Sequence, residues 1–320
     1  MKTSFSFRIW KRKYFYQLRR ILSDLKTHLK SNFEWSKDGV IMLLLAVLIF
    51  VNYHFELEEK LLSNLDPWLY LGYFHLLYPA VYYATVWIKC RSKITAKFTS
   101  LSALYILALS VSSGFIFYKT WFADYPVYEE YYLRNIAANA HGSIIIFLVL
   151  VLVYFGIERR QLPNFYGFSL KHNFKPYLIL ILFMAPLIVG ATSLPGFLDT
   201  YPSLKVWKYD EIFGMTHTQM ASLFELVYLS DFIRVEALFR GALVIGLARF
   251  LGKDTIITMA ALYCVLHFNK PLGETISSFF GGYLLGTIAY YQQNIVGGCI
   301  VHVGIAGLMD LVAAIAWSMM

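Results

Sequence analysis

Nine apolar stretches, most of them long enough to cross a lipid bilayer as a helix, constrain this chain more than any other feature of its sequence. A transmembrane helix needs about 20 predominantly apolar residues. The stretches lie at residues 40–55, 68–88, 100–118, 136–156, 176–194, 219–250, 255–268, 275–291 and 295–317. The seventh and eighth are short and flank the sequence HFNKPLGE, so either could be a tilted or re-entrant piece. The pattern predicts an all-α, polytopic transmembrane helical bundle of about eight or nine spans.

Composition supports a membrane protein and argues against a nucleic-acid partner. Hydrophobic residues make up 58% of the 320 residues and charged residues only 15%, which is too apolar for a soluble domain of this length. The net charge of +8 comes from basic residues between the apolar stretches, where topology alone accounts for them. Membrane lipid is therefore the expected partner. The three cysteines, Cys90, Cys264 and Cys299, form neither an even framework nor a C-x-x-C pair, so we expect no disulfide and no cysteine metal site.

The connecting segments alternate in charge and predict the orientation. Basic residues follow the second and fourth stretches, at Lys89, Arg91, Lys93, Lys97, Arg159, Arg160, Lys171 and Lys175. Acidic residues dominate the intervening connections, at Glu56, Glu58, Glu59, Asp66, Asp124, Glu129, Glu130, Asp199, Asp210 and Glu211. Basic loops face the cytoplasm, so the N-terminus is predicted to be cytoplasmic. The compact loops and the lack of a targeting signal indicate the plasma (inner) membrane of a bacterium.

Three regions follow from the distribution of polar residues. Residues 1–38 form a basic segment whose apolar residues recur at steps of three and four, as in an amphipathic helix on an anionic cytoplasmic leaflet. These residues are Trp10, Tyr14, Leu18, Ile21, Leu22, Leu25 and Leu29. Residues 39–200 have few ionisable side chains within their spans and are predicted to be a transmembrane scaffold. Residues 219–317 carry Asp231, Arg234, Glu236, Arg240, His267, His302 and Asp310, and ionisable groups inside a bilayer usually mark a functional site.

Three of these late residues are predicted to lie at one depth. At about 1.5 Å of rise per residue, Glu236, His267 and His302 each fall near the middle of the membrane, and their need for polar partners favours a single site. Arg240 lies four residues after Glu236, on the same helix face, and can pair with it. The alternative is that the charged pairs only neutralise one another and fasten helices together. The isolated His75 and His141 are interpreted as packing residues.

A glutamate and two histidines have side chains that can activate water for hydrolysis. The carboxylate can take a proton from water, and the imidazoles can hold that water, stabilise an oxyanion or protonate a leaving group. Glu236, His267 and His302 also have the composition of a hydrolytic zinc site, so zinc and a metal-free mechanism both remain open. The sequence contains no nucleophile elbow, no H-E-x-x-H motif and no phosphate-binding loop.

Three short motifs resemble the CPBP family of intramembrane proteases, which includes CAAX prenyl proteases and bacteriocin-processing and abortive-infection proteins. The family pattern is Glu-Glu-x-x-x-Arg, then Phe-x-x-x-His, then His-x-x-x-Asn or Asp. Here VEALFRG supplies Glu236 and Arg240, YCVLH supplies His267 with Tyr263 at the Phe position, and HVGIA supplies His302. The resemblance implies a four-helix catalytic core near the C-terminus. It also implies endopeptidase cleavage, in or beside the membrane, of a membrane-associated protein or peptide by water activated by Glu and His.

Two departures from the family pattern bear on activity. The first family Glu is Val235 here, and the Asn or Asp after the last His is Ala306. Two nearby carboxylates, Glu274 and Asp310, are candidates to compensate and, with Tyr263, to bind substrate. The departures favour a second hypothesis, an inactive relative acting as a peptide-binding, immunity or scaffold protein. A proton-coupled transporter is a third, weakened because two halves with matching broken helices are not evident.

Overall fold

The computed structural model describes residues 19–63, 66–171 and 174–320, and helices dominate these ranges. The helices are α1 (19–32), α2 (Trp35–Phe55), α3 (Leu57–Ser63), α4 (Pro67–Cys90), α5 (Ala96–Gly114), α6 (Val127–Val153), α7 (Lys175–Ala191), α8 (Phe197–Thr200), α9 (His217–Glu236), α10 (Ala248–Leu251), α11 (Thr255–Val265), α12 (Leu272–Gln292) and α13 (Val296–Ser318). Two π-helical segments, Tyr154–Glu158 and Ala237–Gly246, continue α6 and α9. No β-strand occurs within the described ranges.

Several helices begin at side chains that bond their first backbone N–H groups. Asp66 accepts from the backbone nitrogens of Trp68 and Leu69 at the start of α4, and Thr95 accepts from Phe98 at the start of α5. At α9, Thr216 and Gln219 form a reciprocal capping box. These side chains satisfy donors that have no partner within the helix, so the short-range sequence specifies where these helices begin.

Helix length and hydropathy identify four membrane-crossing candidates among the described residues: Trp35–Phe55, Ala96–Thr120, Val127–Glu158 and Val296–Ser318. The apolar helix Lys175–Ala191 is shorter. Each of the nine apolar stretches is mainly helical, which confirms the polytopic, all-α fold class. The seventh stretch is an exception in length, because α11 has only 11 residues and rises about 16 Å.

Helix α11 lies at the centre of the bundle, and all 11 of its residues are buried. It packs against α12, α4, α2 and the π-helical segment Ala237–Gly246, while α13 packs against α7 and α9. Helices from both predicted regions, 39–200 and 219–317, therefore share one packed interior. The division between scaffold and core stays a prediction.

The π-helical segment begins directly after Glu236 and is buried throughout its 10 residues. A Cβ at Gly241 would lie 2.8 Å from both Cβ and the carbonyl oxygen of Tyr166, so only glycine admits this close approach of the connecting segment. Helix periodicity does not distinguish a π-helix from an α-helix, so this segment is not predictable from the sequence pattern. Such segments are rare and frequently occur at functional sites.

The amphipathic N-terminal helix is described only in part. Trp10, Tyr14 and Leu18 lie outside the described residues, whereas residues 19–32 are helical. Ile21 is buried in a cluster with residues of α7, α12 and α13. Leu22 and Leu29 are exposed. One face of α1 thus docks on the protein and another face presents apolar side chains outward.

Candidate active site

Glu236, the last residue of α9, is fully buried, and one of its carboxylate oxygens is held by two partners. Oε1 lies 3.1 Å from Nη1 of Arg240 and 3.0 Å from Nδ1 of His302. The first contact follows from the spacing of four residues, and the second joins α9 to α13. The structure therefore brings Glu236, Arg240 and His302 together.

The second carboxylate oxygen of Glu236, Oε2, has no hydrogen-bond partner among the residues that the structure describes. It lies against the backbone of α13 at Gly298, where an added Cβ would overlap it. A buried carboxylate oxygen without a partner is costly. Oε2 is thus a buried acceptor of this site that is left without a hydrogen bond among the described residues.

Arg240 is as deeply buried as its partner and lies over an aromatic ring. Its side chain is 1% exposed, and its guanidinium carbon lies 4.3 Å from the centroid of the Tyr263 ring. The negative face of an aromatic ring attracts a cation, more strongly where water is excluded. The ring and the Glu236 carboxylate partly compensate for the buried positive charge, while none of the three guanidinium nitrogens has a hydrogen-bond partner among the described residues.

His302 connects the carboxylate to Tyr263. A carboxylate can only accept, so Nδ1 carries the proton and donates to Oε1 of Glu236 at 3.0 Å. In the neutral ring, Nε2 then accepts from the Tyr263 hydroxyl, which lies 3.1 Å away. The Phe232 ring packs against the imidazole at 4.5 Å between centroids. These contacts favour one orientation of the His302 ring and, in the neutral ring, a proton on Nδ1.

His267 joins the same group of side chains through Tyr263. Its Nδ1 lies 2.8 Å from the Tyr263 carbonyl oxygen, which can only accept, so Nδ1 donates and the neutral ring leaves a lone pair on Nε2. The two rings pack edge to face with centroids 4.6 Å apart. In the described part of the chain, no direct hydrogen bond links His267 to Glu236 or His302.

The donor arrangement does not fit a zinc site. The described residues contain no group of three or more His, Cys, Asp or Glu side chains placed to hold a metal ion. Oε1 of Glu236 is engaged by Arg240, and Nδ1 of His302 carries a proton toward that same oxygen. A zinc tripod needs three lone pairs directed at one point, which Glu236, His267 and His302 do not present in this arrangement.

Glu274 and Asp310 are held by the segment that follows α8. The Tyr201 hydroxyl donates to both Glu274 oxygens, at 2.9 and 2.8 Å. The Ser203 backbone nitrogen lies 3.1 Å from both oxygens of Asp310, which is 3% exposed. Neither carboxylate has a hydrogen bond or ion pair with Glu236 or His302 among the described contacts. Tyr201 and Ser203 carry no sequence signal for this role, since they lie far from their partners along the chain.

The two residues that depart from the family pattern, Val235 and Ala306, are buried packing residues. Val235 is 8% exposed and Ala306 is 4% exposed, and neither side chain has a polar group. The second charged pair, Asp231 and Arg234, lies apart from Glu236 and bonds Ser143 and Ser112. The pair thereby links α9 to α6 and α5, which is a structural role.

Comparison with known families supports the resemblance seen in the sequence. A family model described as type II CAAX prenyl endopeptidase, Rce1-like, matches residues 212–308, a range that includes Glu236, Arg240, Tyr263, His267 and His302. No curated protein and no solved structure gives a significant match. The matched family is a peptidase family. Together with the apolar helices, the match indicates that this chain is a membrane protein. The resemblance to the CPBP proteases is therefore confirmed for residues 212–308, which match the Rce1-like type II CAAX prenyl endopeptidases.

Proposed function

We propose that the chain is an intramembrane endopeptidase that hydrolyses a peptide bond of a membrane-associated protein or peptide with water activated by Glu236. The observation that carries the proposal is the asymmetry of the buried carboxylate. Arg240 and His302 hold Oε1, whereas Oε2 has no partner among the described residues. The match to a peptidase family over these helices supports the same reading.

In this mechanism the attacking water donates a hydrogen bond to Oε2 of Glu236. The second O–H group of the water donates a hydrogen bond to Nε2 of His267, which orients the water oxygen toward the substrate carbonyl. As the C–O bond forms, Glu236 takes the proton, and it returns that proton to the amide nitrogen when the C–N bond breaks. Arg240 through its nearby positive charge, and the Nδ1–H of His302 through a hydrogen bond, stabilise the carboxylate before attack.

A peptide cleavage assay tests the proposal. Protein in lipid nanodiscs is incubated with membrane-tethered peptides, prenylated and unprenylated, and the products are identified by mass spectrometry. We expect the wild type to cleave, and we expect Glu236→Gln and His302→Ala to lower the rate at least about 100-fold, since general base catalysis contributes about 10² to 10⁴. Glu158→Gln is the matched control, because Glu158 is also fully buried and paired with an arginine, Arg249, away from the site.

The second candidate function is an inactive relative that binds a peptide without cutting it. The loss of polar groups at Val235 and Ala306 favours it. In this case the nanodisc protein retains a tethered peptide and releases it intact, and Glu236→Gln leaves its affinity unchanged. Cleavage by the wild type that Glu236→Gln abolishes would exclude this candidate.

We also infer a bacterial plasma membrane location with the N-terminus in the cytoplasm. Basic side chains gather at one end of the bundle, where Lys93 pairs with Asp254 and Lys253 lies 3.4 Å from Ser31 of α1. The positive-inside rule places this end in the cytoplasm. The three native cysteines are buried, so a single cysteine introduced at Lys30 should react with a membrane-impermeant maleimide only in inverted vesicles.

A further inference from the structure

The Tyr263 side chain, on α11, lies between the two groups that hold Glu236. Its hydroxyl oxygen lies 3.1 Å from Nε2 of His302, and its ring face lies 4.3 Å from the guanidinium carbon of Arg240. The residue is 5% exposed, and the Phe239 ring packs against it at 5.1 Å between centroids. Packing from several sides leaves the Tyr263 side chain little freedom to rotate.

We infer that Tyr263 is a positioning residue. Its hydroxyl fixes the tautomer and ring orientation of His302, and its ring holds the Arg240 guanidinium in place, so that His302 and Arg240 contact the same oxygen of Glu236. The inference rests on the proposed function in that Glu236 is the base. It assigns the hydroxyl of Tyr263 to His302, which differs from the substrate-binding role expected from the sequence.

The hydroxyl and the ring make separate contributions. A hydroxyl donating to Nε2 excludes a proton from that nitrogen in the neutral ring, which leaves the only ring proton on Nδ1, facing Glu236. The ring face attracts the guanidinium whether or not the hydroxyl is present. The family pattern has Phe at this position, and Ala306, one turn beyond His302, offers no polar group. Tyr263 is therefore the partner of Nε2 in the described part of the chain.

Nitrogen NMR of the wild type gives the first test. Protein labelled with ¹⁵N-histidine is studied in nanodiscs, and the His302 ring signals among the eight histidines are assigned by their loss in His302→Gln. We expect a protonated Nδ1 and an unprotonated Nε2 that accepts a hydrogen bond. A proton found on Nε2 would overturn the inference without any variant being made.

Tyr263→Phe gives the second test, since it removes the hydroxyl and keeps the ring. The Nε2 resonance of His302 should move downfield, to that of a nitrogen without a hydrogen bond. With an active substrate, kcat should fall about tenfold, the effect expected for one aligned hydrogen bond, with KM unchanged. Tyr132→Phe is the control, because the buried Tyr132 hydroxyl donates a hydrogen bond to a backbone carbonyl oxygen of α9 outside the site. This variant should change neither the His302 resonance nor kcat.

The two measurements separate this inference from the proposed function. If the His302 nitrogens respond to Tyr263→Phe and the wild type cleaves no peptide, the positioning role stands and the protease proposal fails. If the His302 resonances are the same in the wild type and in Tyr263→Phe, the hydroxyl positions nothing and the inference is wrong. A rise in KM with unchanged kcat would instead identify Tyr263 as a substrate contact, which also overturns it.

Discussion

The Glu236 carboxylate fits against α13 because residue 298 is a glycine. Its Oε2 lies against Gly298, where a Cβ would overlap the oxygen. Gly298→Ala should therefore displace the carboxylate or separate α9 from α13. We expect peptide cleavage to fall at least about tenfold, because small misplacements of a reacting group are costly, and stability to fall by about 1–3 kcal/mol.

Gly307→Ala is a matched control on the same helix. A Cβ at Gly307 would meet Leu229 at 3.5 Å, an ordinary contact distance, so activity and melting temperature should stay close to those of the wild type. Equal losses of activity in the two alanine variants would show that α13 tolerates no added methyl group anywhere, and the account of Gly298 would fail.

Arg240 should matter to stability as well as to chemistry. Glu236 and Arg240 are 0% and 1% exposed at their side chains, so Arg240→Met leaves a carboxylate buried without its ion-pair partner. Breaking a buried pair in this way costs about 3–5 kcal/mol, whereas removing both charges is often close to neutral. Thermal unfolding in detergent should show a large loss for Arg240→Met and a smaller one for Arg240→Met combined with Glu236→Gln. An additive pair of effects would contradict a direct interaction.

At the scale of single elements, α1 is expected to respond to pH. His28 is buried in it, 5.5 Å from the Tyr283 ring and 6.1 Å from the Tyr291 ring of α12. Burial, with the charges of Lys253 and Lys89, lowers the pKa of His28 from 6.5 to about 4, and Asp254 opposes this shift. The docked helix therefore holds His28 without a proton near neutral pH.

The direction of the pH effect follows from proton linkage. Between pH 6.5 and about pH 4, the undocked helix binds a proton that the docked helix does not. Docking should therefore weaken as pH falls through this window and change little below it. Backbone amides of residues 19–32 should be less protected from hydrogen exchange, relative to their intrinsic exchange rates, at pH 5 than at pH 7.5, and His28→Phe should remove most of that difference. Faster exchange at the higher pH, after correction for intrinsic rates, would contradict the assignment.

At the scale of the whole molecule, the buried side chain of Lys89 connects α2 and α4 with the start of α11. The side chain of Lys89, on α4, is 0% exposed, and its Nζ lies 2.9 Å from Asp38 of α2 and 3.9 Å from Asp254 before α11. Lys89→Met leaves Asp38 buried with a lost partner, so we expect a loss of about 3–5 kcal/mol in unfolding free energy. Lys60→Met, in an exposed pair with Glu56, should cost at most about 1 kcal/mol.

Sequence reasoning was most accurate where the relevant contacts lie within one helix. Apolar periodicity identified the helical stretches, and a spacing of four residues placed Arg240 beside Glu236. The shortness of α11 was also visible, because the seventh stretch was predicted to be short. The eighth stretch was predicted to be short as well, but it lies in the 21-residue helix α12. Contacts three and four residues apart follow from the geometry of the helix itself, which is why these predictions need no knowledge of how helices pack.

The sequence by itself determined that this chain would be a bundle of membrane helices with the candidate Glu, Arg and His residues of the site in its last third, because bilayer thickness and the cost of buried charge act on every helix separately. Only the tertiary structure decided that His302 would meet Glu236, that Tyr263 would stand between His302 and Arg240, and that the segment after α8 would bind Asp310. These contacts depend on how each helix is rotated and how closely it approaches its neighbours. That information lies in the packing of the whole bundle, including a π-helical segment that no local pattern predicts.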